Sequence, residues 1–273
     1  GYDSKEKLGS LFSAEQIDAL ALAIFSHEKL GRSMINADQT GLGKGRFMAG
    51  LIRYCAIQGM TPVFLTYKPS LLSDIFRDVA DIESLDLFKN VFTVNNVKIT
   101  DFYDTNKPLF KAMRAAEHKK IIQDGELPEN TDLVLATYSQ FSQRLSRSAK
   151  AQFLEKIAAK GKTFFLLDES HIAAGESNIH TNIAAALDVS SGAVFSSATA
   201  LKNTKSFKLY KSIFPPSINP DTLPEIFRVG GESLQEAVSN CLAADGVLIC
   251  RQHDLSDLEI RTIDPDEEFI QRN

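Results

Sequence analysis

Four short runs in the chain are predominantly apolar: P-V-F-L-T at 62–66, L-V-L-A-T at 133–137, T-F-F-L-L at 163–167 and A-V-F-S at 193–196. Each has the length of a strand, and none alternates strictly between apolar and polar residues. A strand that is apolar on both sides is buried on both faces. Between the runs, apolar residues fall at helical spacing, as at Phe47, Met48, Leu51, Ile52 and Cys55, or at Leu71, Leu72, Ile75, Phe76 and Val79. Strands alternating with helices predict an α/β fold, a mostly parallel sheet with helices on both faces. Shorter runs at 33–35, 91–94 and 247–250 extend the pattern.

Ligands bind such sheets beyond the carboxyl ends of the strands. The residues that follow the runs are therefore the first candidates for chemistry. After 33–35 comes N-A-D-Q-T-G-L-G-K-G-R at 36–46. Gly41, Gly43 and Gly45 let the backbone turn tightly and bring its N–H groups close to a ligand. The positive end of the next helix favours an anion there. Lys44 adds a mobile ammonium that can reach the β- and γ-phosphates of a nucleotide. Thr40, Gly41, Leu42, Gly43, Lys44, Gly45 and Arg46 are the expected nucleotide contacts. Two positions depart from the common cradle pattern. Asp38 stands where a first Gly is usual, and Gly45 stands where a Ser or Thr hydroxyl usually holds Mg²⁺.

The run at 163–167 leads straight into Asp168-Glu169-Ser170-His171. Asp168 is the expected holder of Mg²⁺ opposite the phosphates. Glu169 is the expected base for the attacking water. The alternative is a polar helix cap after a strand. With no hydroxyl at Gly45, the metal is expected on Asp168, water and phosphate oxygens only. After 193–196 come Ser197-Ala198-Thr199.

The rest of the chain sets the frame. With 273 residues, one large α/β domain or two small ones fit. A net charge of −5 argues against a non-specific nucleic-acid coat protein. Three cysteines, Cys55, Cys241 and Cys250, read as reduced core thiols of a cytoplasmic protein, or a nuclear one in a eukaryote. The chain begins with Gly1, and residues 1–10 are read as a leader carrying a tag scar. Residues 13–27 predict a helix, with Ser13 and Gln16 as its capping box. Gln16 has a second reading, contact with an adenine edge. Residues 95–131 are read as a surface insertion. It carries a basic group (Lys107, Lys111, Arg114, His118, Lys119, Lys120) and one amphipathic helix through Leu109, Phe110, Met113 and Ile121. Further helices are expected from 138 to about 161 and from 234 to 245.

The order of cradle, D-E-S-H and S-A-T resembles the first motor lobe of superfamily-two helicases and translocases, a RecA-like lobe. More narrowly it resembles the strawberry notch-like group. D-Q-T-G-L-G-K-G-R with A-G-L-I behind it, L-L-S-D-I-F-R-D-V at 71–79, S-S-A-T at 196–199 and V-L-I-C-R-Q at 247–252 carry the likeness, which runs from about 11 to 263. The resemblance implies ATP and Mg²⁺ as cofactors. It implies nucleic acid as partner, DNA before RNA, and a second RecA-like lobe that completes the ATP site. It implies that Gln16 reads adenine and that His171, Ser197 and Thr199 couple hydrolysis to grip. It places Lys68, Pro69, Thr137, Tyr138 and Ser139 on the phosphodiester backbone. Two rival readings are a nucleotide-sensing scaffold without turnover, suggested by Gly45, and a small-molecule kinase.

Overall fold

The computed structural model describes residues 2–144, 148–175, 177–199, 208–219 and 222–252. In chain order the elements are α1 (Lys5–Leu11), α2 (Ala14–Phe25), β1 (Met34–Asn36), α3 (Lys44–Ile57), β2 (Thr61–Thr66), α4 (Leu71–Asp81), β3 (Val91–Thr93), β4 (Ile99–Thr100), β5 (Pro108–Phe110), α5 (Ala115–Asp124), β6 (Leu133–Thr137), α6 (Ala149–Ala158), β7 (Thr163–Asp168), α7 (Asn178–Asp188), β8 (Gly192–Ser196), α8 (Leu223–Ala244) and β9 (Leu248–Ile249).

Seven strands form one parallel sheet in the order β3-β6-β2-β7-β8-β1-β9. The chain leaves β1, lays down β2 at a distance, and later fills the gap with β7 and β8. Alternate residues of each strand feed opposite cores, as expected of strands apolar on both sides. Phe165 and Leu167 join the cluster under α6, α7 and α8. Phe164 and Leu166 join the cluster under α2, α3 and α4. The helices thus cover both faces.

Several expectations are corrected. Within residues 1–10, α1 starts at a Ser4 cap, and the Tyr2 hydroxyl donates to the Ile82 carbonyl at 2.7 Å. Leu109 and Phe110 lie on β5, paired antiparallel with β4, and the helix of this region starts only at Ala115. Within the basic group, His118 is buried; it stacks on Phe92 and bonds the Thr93 carbonyl at 2.9 Å. The expected helix from 138 begins instead as one 3-10 turn, Tyr138–Phe141, and α6 starts at Ala149. The last helix starts at Leu223 and breaks at Gly231, where φ is 61° and ψ −157°. Of the cysteines only Cys55 is buried; Cys241 and Cys250 are exposed.

Candidate nucleotide site

The filled gap decides the site. Because β7 and β8 lie between β1 and β2, the carboxyl ends of four strands line up. Asn36 is in register with Ser196, and Ser196 with Asp168. Ser197 donates its N–H to the Asn36 carbonyl at 3.0 Å. The Thr66 hydroxyl at the end of β2 donates to Asp168 Oδ2 at 3.2 Å.

The cradle springs from β1. Gly41 and Gly43 have φ of 97° and 77°, values that only glycine adopts without strain. No side chain caps the start of α3, so its first N–H groups are left for a ligand. Lys44 Nζ reaches back across the loop to the Asp38 carbonyl at 2.8 Å. Gln16 closes the start of α2 as its capping-box residue, and the same side chain ties that helix to the cradle. Its Oε1 accepts from Ser13 N at 3.0 Å, and its Nε2 donates to the Gly43 carbonyl at 3.4 Å. A Cβ on Gly43 would fall 2.0 Å from that Nε2.

Asp38, the first departure from the usual cradle, is buried and fully engaged. Arg251, just past β9, gives it Nε at 3.1 Å, Nη2 at 2.6 Å and its backbone N–H at 2.9 Å. The cradle is thus tied to the segment that follows the last strand. Charge assistance from Asp38 raises the Arg251 pKa still further. Nothing in the sequence pattern pairs these two residues; a lone acid replacing a cradle glycine was the only signal.

On the facing side, Asp168 ends β7. Burial first, and the Glu169 carboxylate second, push its pKa up to about 6. The buried Tyr138 hydroxyl donates to the Asp168 carbonyl at 2.6 Å and fixes the strand end. Glu169 adopts a left-handed conformation, φ 47° and ψ 48°. That costs a non-glycine residue about 1–2 kcal/mol, a strain of the kind that clusters at functional sites. Its Oε2 lies 3.3 Å from His171 Nδ1. The same Nδ1 lies 2.9 Å from Ser197 Oγ, which in turn is 3.4 Å from Thr199 Oγ1.

A cavity of about 370 Å³ opens between these walls, bounded by Thr40, Lys44 and Gly45, by Asp78 of α4, and by Asp168 and Glu169. A larger cavity, about 440 Å³, lies near Arg32, Ser33 and Gly192, at the amino ends of β1 and β8. It has no paired carboxylates, and ligands of parallel sheets bind at the opposite ends; the smaller cavity is the candidate site.

Not every expected contact is there. Leu42 and Arg46 do not line the cavity. Arg46 instead bonds Asp81 at 2.7 Å and the Leu11 carbonyl at 3.3 Å, bracing α3 on α4. The side chains of Thr137 and Tyr138, expected at a nucleic-acid backbone, are buried. Thr137 Oγ1 accepts from Asn95 at 2.8 Å and faces Ser139 Oγ at 3.0 Å. Lys68, Pro69 and Ser139 are exposed at the carboxyl edge of the sheet.

Among the described residues, no group of three or more His, Cys, Asp or Glu side chains is arranged to hold a metal alone. The donors at the cavity are all oxygens, which suits a hard cation shared with phosphate oxygens. The residues present therefore fit Mg²⁺ brought in with a nucleotide.

Glycine cradle, helix start and strand-end carboxylates on a parallel sheet define a P-loop NTP hydrolase of RecA-like fold. The chain belongs to the P-loop containing NTP hydrolase pore-1 family, whose model matches residues 4–271. No curated protein matches the sequence. Among solved structures, the chain is similar to the Sulfolobus solfataricus SWI2/SNF2 ATPase core in complex with dsDNA. The TM-score is 0.56 at 13% identity, over 89% of this chain and 45% of that one. It is also similar to the UvsW helicase from bacteriophage T4, with a TM-score of 0.43 at 12% identity, over 87% and 59%. The chain spans about half the length of these structures. The first likeness bears on the fold alone, and the second is too distant to carry an argument.

Proposed function

We propose that this chain is the ATP-binding first motor lobe of a nucleic-acid helicase or translocase, hydrolysing ATP when a second lobe closes the cleft. The observation that carries this is the contact chain from Glu169 through His171 to Ser197 and Thr199. A simple phosphate-binding enzyme has no use for a relay from its candidate base to the next strand end. A motor needs one, because hydrolysis must be linked to a change of grip elsewhere. The finer placement in the strawberry notch-like group rests on the cradle with Gly45 and on L-L-S-D-I-F-R-D-V.

In this mechanism the α3 start and Lys44 bind the β- and γ-phosphates of ATP, and Gln16 sits beside the adenine end. Asp168 would hold Mg²⁺, which neutralises charge on the phosphates. Glu169 orients a water and accepts its proton. Thr66 and the Asp168–Tyr138 bond keep the carboxylate in place. Lys68, Pro69 and Ser139 form part of a backbone-tracking nucleic-acid surface, with DNA the first candidate given the dsDNA bound by the similar SWI2/SNF2 core.

The test is steady-state ATP turnover by the full-length protein with and without double- and single-stranded DNA and RNA, with Lys44→Ala as control. Stimulation by a nucleic acid, lost with Lys44→Ala, is expected. Nucleotide binding without turnover under all conditions would replace this function with that of a nucleotide-sensing scaffold.

A further inference from the structure

Gly45 is the one cradle glycine that its backbone does not require. Gly41 and Gly43 have left-handed φ; Gly45 does not. A glycine within a helix costs roughly 0.5–1 kcal/mol against alanine, so something other than conformation must hold it there. The space shows what. A Cβ on Gly45 would lie 2.4 Å from Asp78 Oδ2 and 3.3 Å from its Cγ. The volume that a Ser or Thr side chain would take is filled by a carboxylate from α4.

That carboxylate is buried and poorly paired. Asp78 is 9% exposed. Its neighbour Arg77 approaches only to 3.3 and 3.4 Å, at the outer limit of a hydrogen bond, and spends its guanidinium on the Phe102 ring at 4.7 Å. Arg46, the next basic group on that side, is committed to Asp81 at 2.7 Å. The long Arg77 ion pair offsets only part of the cost of burying this charge, and a further cation would offset more. Asp78 lines the same cavity as Lys44 and Asp168.

We propose that Asp78 replaces the missing cradle hydroxyl as the second protein oxygen toward the divalent cation that accompanies the nucleotide, directly or through one water. This rests on the nucleotide assignment and revises the expectation that Asp168 alone represents the protein on the metal. Gly45 and Asp78 are then one device: the glycine makes room, and an acid from a neighbouring helix supplies the oxygen. A carboxylate in place of a hydroxyl adds a negative charge beside the phosphates, so it weakens metal-free nucleotide binding and strengthens the dependence on the cation.

The experiment is calorimetric titration of ADP into the full-length protein with Mg²⁺ and again with EDTA, alongside Mn²⁺ binding by electron paramagnetic resonance in the presence of ADP. Asp78→Asn is expected to bind ADP in EDTA at least as tightly as the parent. It should lose at least about tenfold of the affinity gained from Mg²⁺ and bind Mn²⁺ correspondingly more weakly. Gly45→Ser alone should also weaken Mg²⁺-dependent binding, because its Cβ displaces the carboxylate. The double variant Gly45→Ser/Asp78→Ala should recover it. An Asp78→Asn protein with the parent's full metal gain overturns the proposal. If Asp78→Asn does not fold, the serine variants decide: a single variant that binds as the double does overturns it equally. A parent that binds no ADP under either condition refutes the nucleotide assignment itself, a different outcome from a parent that binds with no effect of Asp78.

Discussion

The Nδ1 atom of His171 stands 2.9 Å from the Ser197 hydroxyl and 3.3 Å from a carboxylate oxygen of Glu169. One imidazole nitrogen thus serves the end of β7 and the end of β8 at once. The contact links β8's end to the carboxylate proposed to handle the attacking water. In the full-length protein, Ser197→Ala is expected to leave ATP affinity and basal turnover near the parent's while abolishing stimulation by nucleic acid. His171→Ala should do the same. The two together should be no worse than either alone, since residues in one contact chain are not additive. Stimulation that survives in either single variant and disappears only in the double would mean that the two residues act separately.

Among the described residues, the Lys44 ammonium donates to the Asp38 carbonyl alone. Its removal therefore costs the fold little. Charge-assisted hydrogen bonds to phosphate are worth about 1.5–3 kcal/mol, or roughly 10- to 100-fold in affinity. Lys44→Ala should weaken ADP and ATP binding by that factor in calorimetry with an unchanged melting temperature.

Glu169 separates function from stability. Glu169→Gln keeps the shape and removes the carboxylate proposed as the base, so nucleotide binding should persist while turnover falls by about 10²- to 10⁴-fold. Glu169→Gly removes the proposed base and also relieves the left-handed backbone. It should unfold in urea at a midpoint no lower than the parent's, although it loses the contact with His171. A clear drop in midpoint would mean that the His171 contact outweighs the strain.

Much of this was legible in the sequence because strand ends and cradle glycines are local. The run 163–167 had to be buried on both faces, and whatever followed it had to sit at the carboxyl edge; Asp168 and Glu169 do. Leu109 and Phe110 misled because short apolar pairs carry no period, and a three-residue β-strand needs a partner to exist. Thr137 and Tyr138 misled for a different reason. A strand-end position says where the backbone is, not which way a side chain turns, and both side chains turn inward to bonds with Asn95 and Asp168. Asp78 and Arg251 were beyond reach, since each acts on the cradle from a distant element.

Acid should weaken the fold. Burial, ahead of every other cause, lowers the pKa of His27, His118 and His180. Unfolded imidazoles titrate near 6.5. Between that value and the lower folded values, the unfolded chain holds more protons, so stability rises with pH. The contribution is complete above about pH 6.5 and is lost as pH falls toward the folded values. His180 Nδ1 is buried without a hydrogen-bond partner among the described residues, so a proton there finds no acceptor. Asp168 works the other way, because burial raises its folded pKa to about 6 and its protonation favours the fold below that pH. The histidine contribution is therefore read as a difference between variants, and His118→Gln should lose less urea midpoint between pH 7 and 5 than the parent does. Parent and His118→Gln midpoints that change in parallel across the window contradict the assignment of His118 as a neutral ring.

The pair Asp38–Arg251 offers the sharpest stability test, because it joins residues 213 apart through three hydrogen bonds. The Asp38 side chain is 2% exposed and that of Arg251 25%. Removing the arginine leaves a buried carboxylate facing no cation, whereas removing both charges leaves nothing unpaired. Breaking a buried pair by deleting one member costs about 3–5 kcal/mol; partial exposure of Arg251 places this one at the lower end. Arg251→Met should therefore lower unfolding free energy by about 3 kcal/mol and also weaken nucleotide binding, since Asp38 carries the carbonyl that Lys44 uses. Asp38→Asn should cost less, because the amide still accepts from the Arg251 backbone N–H. The double variant should be more stable than Arg251→Met alone, with a coupling energy well above the few tenths of a kcal/mol found for independent sites. Additive losses across the cycle would mean that the cradle stands without Arg251, and that its link to the last strand is only a surface contact.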